Sequence, residues 1–233
     1  MIFLPGTDKQ ADFFLNTAEN KGGKVVIIGP GTNEIAQKMV LTEPEKIIII
    51  VEDYDSLITM RYRLEKQGFK NIEVRMMDYE HTDFLNNSID IVYAQASVST
   101  RKRNKIIREI KKILKAGGVF CTGELTKLKE DVPVFIQELW QASDLLLLPD
   151  KELNEYYEGR GFEILDKKNL SFTLKEFYEQ SEKMLSKETG DFSEQEKSYH
   201  KKLLKKISHE SNAYLNLGGR DYMGFTALIM RKA

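Results

Sequence analysis

A glycine turn and two acidic strand ends carry the chemistry legible in this chain. Gly29-Pro30-Gly31-Thr32-Asn33 directly follows the apolar run Val25-Val26-Ile27-Ile28 and precedes a helical stretch. Two glycines there permit a sharp turn and a close approach of a ligand to the backbone. Glu52 ends the next apolar run, 47–51, with Asp53 beside it as a rival, and Asp78-Tyr79 ends the third, 72–77. A carboxylate at the second position can accept hydrogen bonds from a ribose diol. One at the third can accept from an adenine amino group. Open α/β sheets bind ligands beyond the carboxyl ends of their strands, so the three features together describe a nucleoside-shaped site. Each alone also reads as an ordinary turn or a solvated loop acid.

The nature of the nucleoside follows from what surrounds the turn. A dinucleotide fingerprint needs G-x-G-x-x-G, and the third glycine position is held by Glu34. An acid at a helix N-terminus disfavours a pyrophosphate there. No G-x-x-x-x-G-K-[ST] occurs, which disfavours a P-loop nucleotide hydrolase. Adenosine without phosphates fits best.

The elements that must position these residues alternate. Apolar runs at 25–28, 47–51, 72–77 and 89–94 read as buried parallel strands, separated by helices near 34–40 and through Leu57, Met60 and Leu64. Residues 101–116 form the clearest helix, with Ile106, Ile107, Ile110, Ile113 and Leu114 on one face. Gly117-Gly118 should end it, and 119–122 should make a fifth strand containing Cys121, whose expected job is packing. Asp131 is the expected N-cap of a helix carrying Phe135, Leu139 and Trp140, and Asp150 of another running through Tyr157. Strands are expected at 162–165 and 224–230. Between them, 173–215 carries two capping-box signals, Thr173 with Glu176 and Ser193 with Glu196. The apolar positions there are Phe177, Met184, Leu203, Leu204 and Ile207. The expectation is an α/β, doubly wound, seven-stranded and mostly parallel sheet in one domain over 1–233. It has an N-terminal helical preamble at 1–24 and a helical insertion at 173–215, read as a lid or a dimer element.

Composition bounds the function. The chain has 233 residues, 41% of them hydrophobic, with 35 basic against 36 acidic side chains for a net charge of -1. That balance disfavours a nucleic-acid coat. One cysteine excludes an internal disulfide, and three scattered histidines suggest no metal site. No apolar segment approaches the ~20 residues that span a bilayer, so the expected setting is soluble and cytoplasmic.

Taken in order, the motifs resemble the class I S-adenosylmethionine-dependent methyltransferases, over about 20–172 and the final strand. The Gly29–Asn33 turn is similar to that family's cofactor loop, Glu52 to its ribose-binding acid, and Asp78-Tyr79 to the pair flanking the adenine. The stretch Ile89-Asp90-Ile91-Val92-Tyr93-Ala94-Gln95-Ala96 resembles the fourth-strand motif bordering cofactor and acceptor. Ile113-Leu114-Lys115-Ala116-Gly117-Gly118-Val119-Phe120 resembles the L-K-x-G-G segment. Three positions depart from the pattern. Ile27 replaces an acid inside the first strand, Asn33 replaces a small residue, and Ala116 replaces a proline. Losing the strand acid puts cofactor affinity in question, not the fold.

The resemblance implies S-adenosylmethionine as cofactor, bound by Gly29, Pro30, Gly31, Thr32, Asn33, Glu52, Asp53, Asp78, Tyr79, Gln95 and Ala96. It implies methyl transfer to a small-molecule acceptor by alignment, without a catalytic triad. Gln95, Ser97, Ser99, Glu124, Arg220 and Tyr222 are the acceptor-binding candidates. Glu124 and His81 are the weak candidates for a base, and Tyr93 reads as wall. Phe13, Phe14, Tyr178, Tyr214 and Tyr222 could line a lid. The basic runs Arg101, Lys102, Arg103, Lys105, Arg108 and Lys201, Lys202, Lys205, Lys206 read first as solvated helix faces. They also keep open an RNA or protein methyltransferase. A non-catalytic, homodimeric scaffold that binds an adenosine ligand is the further alternative, and Ile27 favours it slightly.

Overall fold

The computed structural model describes residues 2–17, 22–69, 71–186 and 208–233. Its first four strands are β1 (Lys24–Ile28), β2 (Lys46–Val51), β3 (Ile72–Met76) and β4 (Ile89–Gln95). They lie side by side in the order β3-β2-β1-β4, all parallel, with Ile28 opposite both Ile50 and Ala94. β5 (Leu114–Lys127) continues the sheet in parallel beyond β4. β8 (Met223–Lys232) then pairs antiparallel with both β5 and β7 (Phe162–Asn169), which closes the far edge. The two-residue β6 (Leu148–Pro149) adds to β5 off this path.

Because side chains alternate across a strand, each apolar run supplies two cores. Val25, Ile27, Ile47, Ile49, Ile91, Tyr93 and Cys121 face α1 (Thr7–Thr17), α2 (Asn33–Met39), α3 (Tyr54–Lys66), α5 (Val134–Ala142) and α7 (Thr173–Ser186). Val26, Ile28, Ile48, Ile50, Val92 and Phe120 face α4 (Arg103–Ile113) and α6 (Leu153–Glu158). A last helix, α8, covers residues 208–216. The helical insertion therefore lies between β7 and β8, with α7 and α8 as its described parts.

Several boundaries differ from the sequence reading. The clearest helix stops at Ile113, and Leu114 already belongs to β5. Residues 115–118 form a bulge there: Ile89 pairs with Leu114, but Ile91 pairs with Val119. Nine-residue pairing with β8 carries the strand on to Lys127, well past Thr122. Asp131 caps nothing; Pro133 precedes α5, which buries Ile136 and Trp140 and leaves Phe135 exposed. Asp150 is drawn instead to the Thr226 hydroxyl and the Lys167 ammonium. Thr173 is the first residue of α7 and not its N-cap; its hydroxyl donates to the Leu170 carbonyl, and no bond joins it to Glu176 among the described residues. Ser193, Glu196, Leu203, Leu204, Ile207 and the lysines of 201–206 lie outside the described residues, as does the Met184 side chain.

Candidate functional site

Parallel pairing brings the ends of β1, β2 and β3 into one row, with neighbouring strands about 4.8 Å apart. The Gly29 N–H donates to the Ile50 carbonyl at 3.1 Å, and the Met77 N–H to Val51 at 2.9 Å. The glycine turn, Glu52 and Asp78 therefore succeed one another along the carboxyl rim. Gly29 and Gly31 hold φ of 114° and 75°, which L side chains rarely adopt. A Cβ on Gly29 would also meet the Ser97 Cβ at 3.2 Å. The Thr32 hydroxyl closes the turn onto the Gly29 carbonyl at 2.8 Å. Asn33 is buried, and its amide donates to Met60 of α3 at 3.2 Å, away from the rim.

Glu52 is exposed. Its Oε1 accepts the Tyr79 N–H at 3.3 Å and lies 3.5 Å from Lys102 Nζ. Among the described residues Oε2 has no partner. Asp53, the rival ribose acid, is instead the N-cap of α3: its carboxylate accepts from the Ser56 N–H at 2.8 Å and from the Ser56 hydroxyl. Asp78 is exposed and accepts the Glu80 N–H through Oδ1 at 2.8 Å, while Tyr79 is buried in the core facing α4. His81 is exposed and joined to Asp78 by a backbone bridge.

The acceptor candidates have different occupations. Gln95 is buried; it accepts the Tyr93 hydroxyl at 2.7 Å and donates to the carbonyls of Pro5 at 2.8 Å and Thr7 at 3.0 Å. It thereby latches the N-terminal segment. Ala96 and Thr7, at φ of 56° and 46°, are left-handed non-glycine residues on either side of that latch. Ser97 donates to the Ile28 carbonyl at 3.0 Å, behind the glycine turn. Glu124 is fully buried. It accepts from Arg103 Nη2 at 2.8 Å, from the Ser99 hydroxyl at 2.9 Å and from the Tyr157 hydroxyl. Burial first, and this carboxylate second, push the Tyr157 phenol well above its ordinary pKa. Both carboxylate oxygens of Glu124 are thus committed to partners inside the protein. Arg220 is exposed in a 3₁₀ turn, and Tyr222 next to it lies under the Lys129 ammonium, 5.1 Å from the ring centroid.

The expected lid residues divide. Phe13 and Phe14 are buried in the core, Phe14 edge-on to Tyr93 with centroids 5.7 Å apart. Tyr178 and Tyr214 are also buried, packed on each other at 4.7 Å. The roof of the site comes from further upstream. Leu4 lies 3.7 Å from where a Gly31 Cβ would stand, and Phe3 packs on Phe177 of α7 at 5.4 Å. Only the apolar character of Ile2-Phe3-Leu4 could have signalled this.

The basic run at the start of α4 is exposed apart from Arg103, and four of its five cations pair with acids of this chain. Arg103 binds Glu124, Lys102 reaches Glu52 and Glu80, Lys105 lies 2.8 Å from Glu80, and Arg101 lies 3.9 Å from Asp144. Glu80, which the sequence reading passed over, sits beneath both lysines; Lys105 first and Lys102 second hold its pKa below the ordinary value. Among the described residues no group of three or more metal-ligating side chains gathers, and no helix is long and apolar enough to cross a membrane.

Strand order and rim geometry define a doubly wound α/β domain with exposed acids, Glu52 and Asp78, at its open end. Residues 26–122 match the methyltransferase-domain family model. The cyclase SpnF is 20% identical over 97% of this chain and 80% of its own, with a TM-score of 0.77. Phosphoethanolamine N-methyltransferase 2 of Haemonchus contortus, solved with S-adenosyl-L-methionine, is 17% identical over 98% of this chain, with a TM-score of 0.76. This chain covers 53% of that protein's length. YcgJ of Bacillus subtilis is 17% identical over 96% of this chain and 98% of its own, with a TM-score of 0.67. A comparison with curated proteins finds no match. Residues 26–122 thus match a methyltransferase domain, and the whole chain shares the fold of these solved structures.

Proposed function

We propose that the chain binds S-adenosylmethionine at the β1–β2–β3 rim and transfers its methyl group to a small-molecule acceptor. The observation that carries this reading is the row formed by the glycine turn, the open Oε2 of Glu52 and the exposed Asp78. The donor set fits the group: a diol needs an acceptor pair, an exocyclic amine needs a carboxylate, and the turn offers backbone with no side chain in the way. Bound there, the sulfonium supplies a methyl group already activated toward a nucleophile.

The chain's own residues then bind, orient and exclude water. Glu52 accepts from the ribose hydroxyls and Asp78 from the adenine amine. Ser97 and Thr32 hold the turn from behind. Leu4, with Phe3 braced on Phe177, keeps water from the methionyl side. No side chain is assigned as a base: Glu124 is committed to Arg103, Ser99 and Tyr157. Alignment under the N-terminal roof is the mechanism this supports. The roof and the internal pairing of the α4 cations favour a small acceptor over RNA.

Calorimetry with S-adenosylmethionine and NAD in parallel tests the donor. The reading expects binding of the former and none of NAD; binding of NAD alone overturns it. Labelled-methyl transfer in cell extract, with and without nuclease or protease, tests the acceptor. Label in a small-molecule fraction that survives both treatments is expected. Label only in RNA or protein overturns the small-molecule part.

A second reading has its own support. Ile27, fully buried between Ile49 and Tyr93, stands where the family places an acid, and the likeness to a cyclase extends along nearly the whole chain. A domain that binds the cofactor without transferring its methyl would bind in calorimetry and label no extract fraction.

A further inference from the structure

We infer that Lys102 is a positioning residue of the donor site, holding the Glu52 carboxylate so that Oε2 faces the ribose hydroxyls. This rests on the reading above, in which Glu52 receives the ribose.

The argument begins with which oxygen is used. Lys102 Nζ lies 3.5 Å from Glu52 Oε1, and the Tyr79 N–H donates to that same oxygen at 3.3 Å. The Tyr79 N–H hydrogen-bonds Oε1 and the Lys102 ammonium sits within ion-pair range of the same oxygen, which biases the plane of the carboxylate and leaves Oε2 to the rim. Had Lys102 bridged both oxygens, it would compete with a diol instead of presenting one.

Lys102 is itself held in place. Its Nζ lies 3.1 Å from Oε1 of Glu80, whose other oxygen takes Lys105 at 2.8 Å. Glu80 is tied to the adenine-side loop through its N–H on Asp78 Oδ1. The neighbouring Arg103 is locked against Glu124 in the interior, with side-chain exposures of 3% and 0%. α4 therefore cannot slide at this end, and Lys102 leaves it over the two acids. The same loop is fastened a second time: the Thr82 N–H and hydroxyl both donate to Glu109 of α4, at 2.9 and 2.6 Å. Glu80 first, and the Glu52 charge second, raise the Lys102 pKa above its ordinary value, so the ammonium persists across neutral pH.

Charge alone does not explain the arrangement. A lysine on a solvated helix face gains little from an exposed pair, and Lys102 is about half exposed at 47%. Its value lies in reinforcing the carboxylate orientation that the single Tyr79 hydrogen bond begins to set.

The test measures the S-adenosylmethionine dissociation constant by calorimetry for the full chain and for K102M, K102R, K105M, E52Q and the double variant K102M/E52Q. E52Q is expected to weaken binding about tenfold, and K102M about three- to fivefold, the ceiling for one exposed pair. K102R should recover most of the loss. K105M, which touches Glu80 but not Glu52, should cost less than K102M; an equal or larger loss would place the effect in the Glu80 loop and overturn the inference. K102M should cost nothing further in the E52Q background, which a general loosening of the loop would not produce. If E52Q weakens binding and K102M leaves it unchanged or tightens it, the Lys102 inference is wrong while the Glu52 reading stands. A K102M loss that persists in full on E52Q also overturns it. An E52Q protein that binds as tightly as the parent overturns the Glu52 reading, and the inference with it.

Discussion

The two halves of the carboxyl rim use their acids in opposite ways. At the β1–β3 ends, Glu52 and Asp78 are exposed, each held through one oxygen. At the β4–β5 ends, Gln95 and Glu124 are buried, with their polar atoms committed to the N-terminal segment and to an interior ion pair. Residue type does not distinguish a ligand from a strut; open valence at the rim does. Under the proposed function the β1–β3 ends are the donor half and the β4–β5 ends the acceptor half: the donor half keeps carboxylate oxygens open, while the acceptor half spends its polarity on the N-terminal segment and a helix.

Removing Arg103 or Glu124 should break the acceptor half outright. Taking one member from a fully buried pair costs about 3–5 kcal/mol, so R103M and E124A should unfold well below the parent temperature in thermal denaturation. An E124A protein of parental stability that lost only turnover would restore Glu124 as a catalytic group and erase the contrast.

G29A attacks the donor half. A Cβ at φ of 114° and 3.2 Å from Ser97 should cost about 1–3 kcal/mol and weaken S-adenosylmethionine binding. Q95L tests the latch: it removes the donor that Gln95 supplies to the Pro5 and Thr7 carbonyls, at about 1–3 kcal/mol. Faster proteolysis and amide exchange over residues 2–10 would reveal it. Unchanged exchange there would show that Gln95 does not hold the roof.

The smallest effect lies at the outer edge of the donor half. Arg75 first, and Lys46 second, hold the Glu73 pKa down at about 2, against an ordinary 4.5. A depressed carboxylate contributes stability above its unfolded pKa and loses it as pH falls through the folded one. Acid unfolding between about pH 4.5 and 2 should therefore be less steep in E73Q. Solvent screening of this partly exposed site keeps the change small.

The features that line the β1–β3 rim were legible because their signals are local. A glycine turn after an apolar strand, an acid after the next, and the Ile106–Ile110 face of α4 are each read within a few residues. The acceptor half was not, because its meaning lies in distant partners. Glu124 becomes a strut through Arg103, Ser99 and Tyr157, and Gln95 becomes a latch through Pro5, 90 positions away. The α4 cations do lie on a solvated face, Arg103 apart, but their pairing with Glu80 and Glu52 could not be read because those acids come from other loops. Asp53 was ambiguous beside Glu52 until the start of α3 made it a cap. The end of the clearest helix was misjudged because Leu114 continues the apolar pattern into a strand whose bulge depends on pairing with β4.

The central claim is that the open acids of the donor half hold adenosine. The most direct measurement is calorimetric titration of the parent protein and E52Q with S-adenosylmethionine. The account predicts a saturable isotherm for the parent. It predicts about tenfold weaker binding for E52Q, the loss of charge-assisted hydrogen bonds to one acceptor group, with stability unchanged within about 0.5 kcal/mol. Equal affinities in the two proteins, or no binding to the parent, would contradict it.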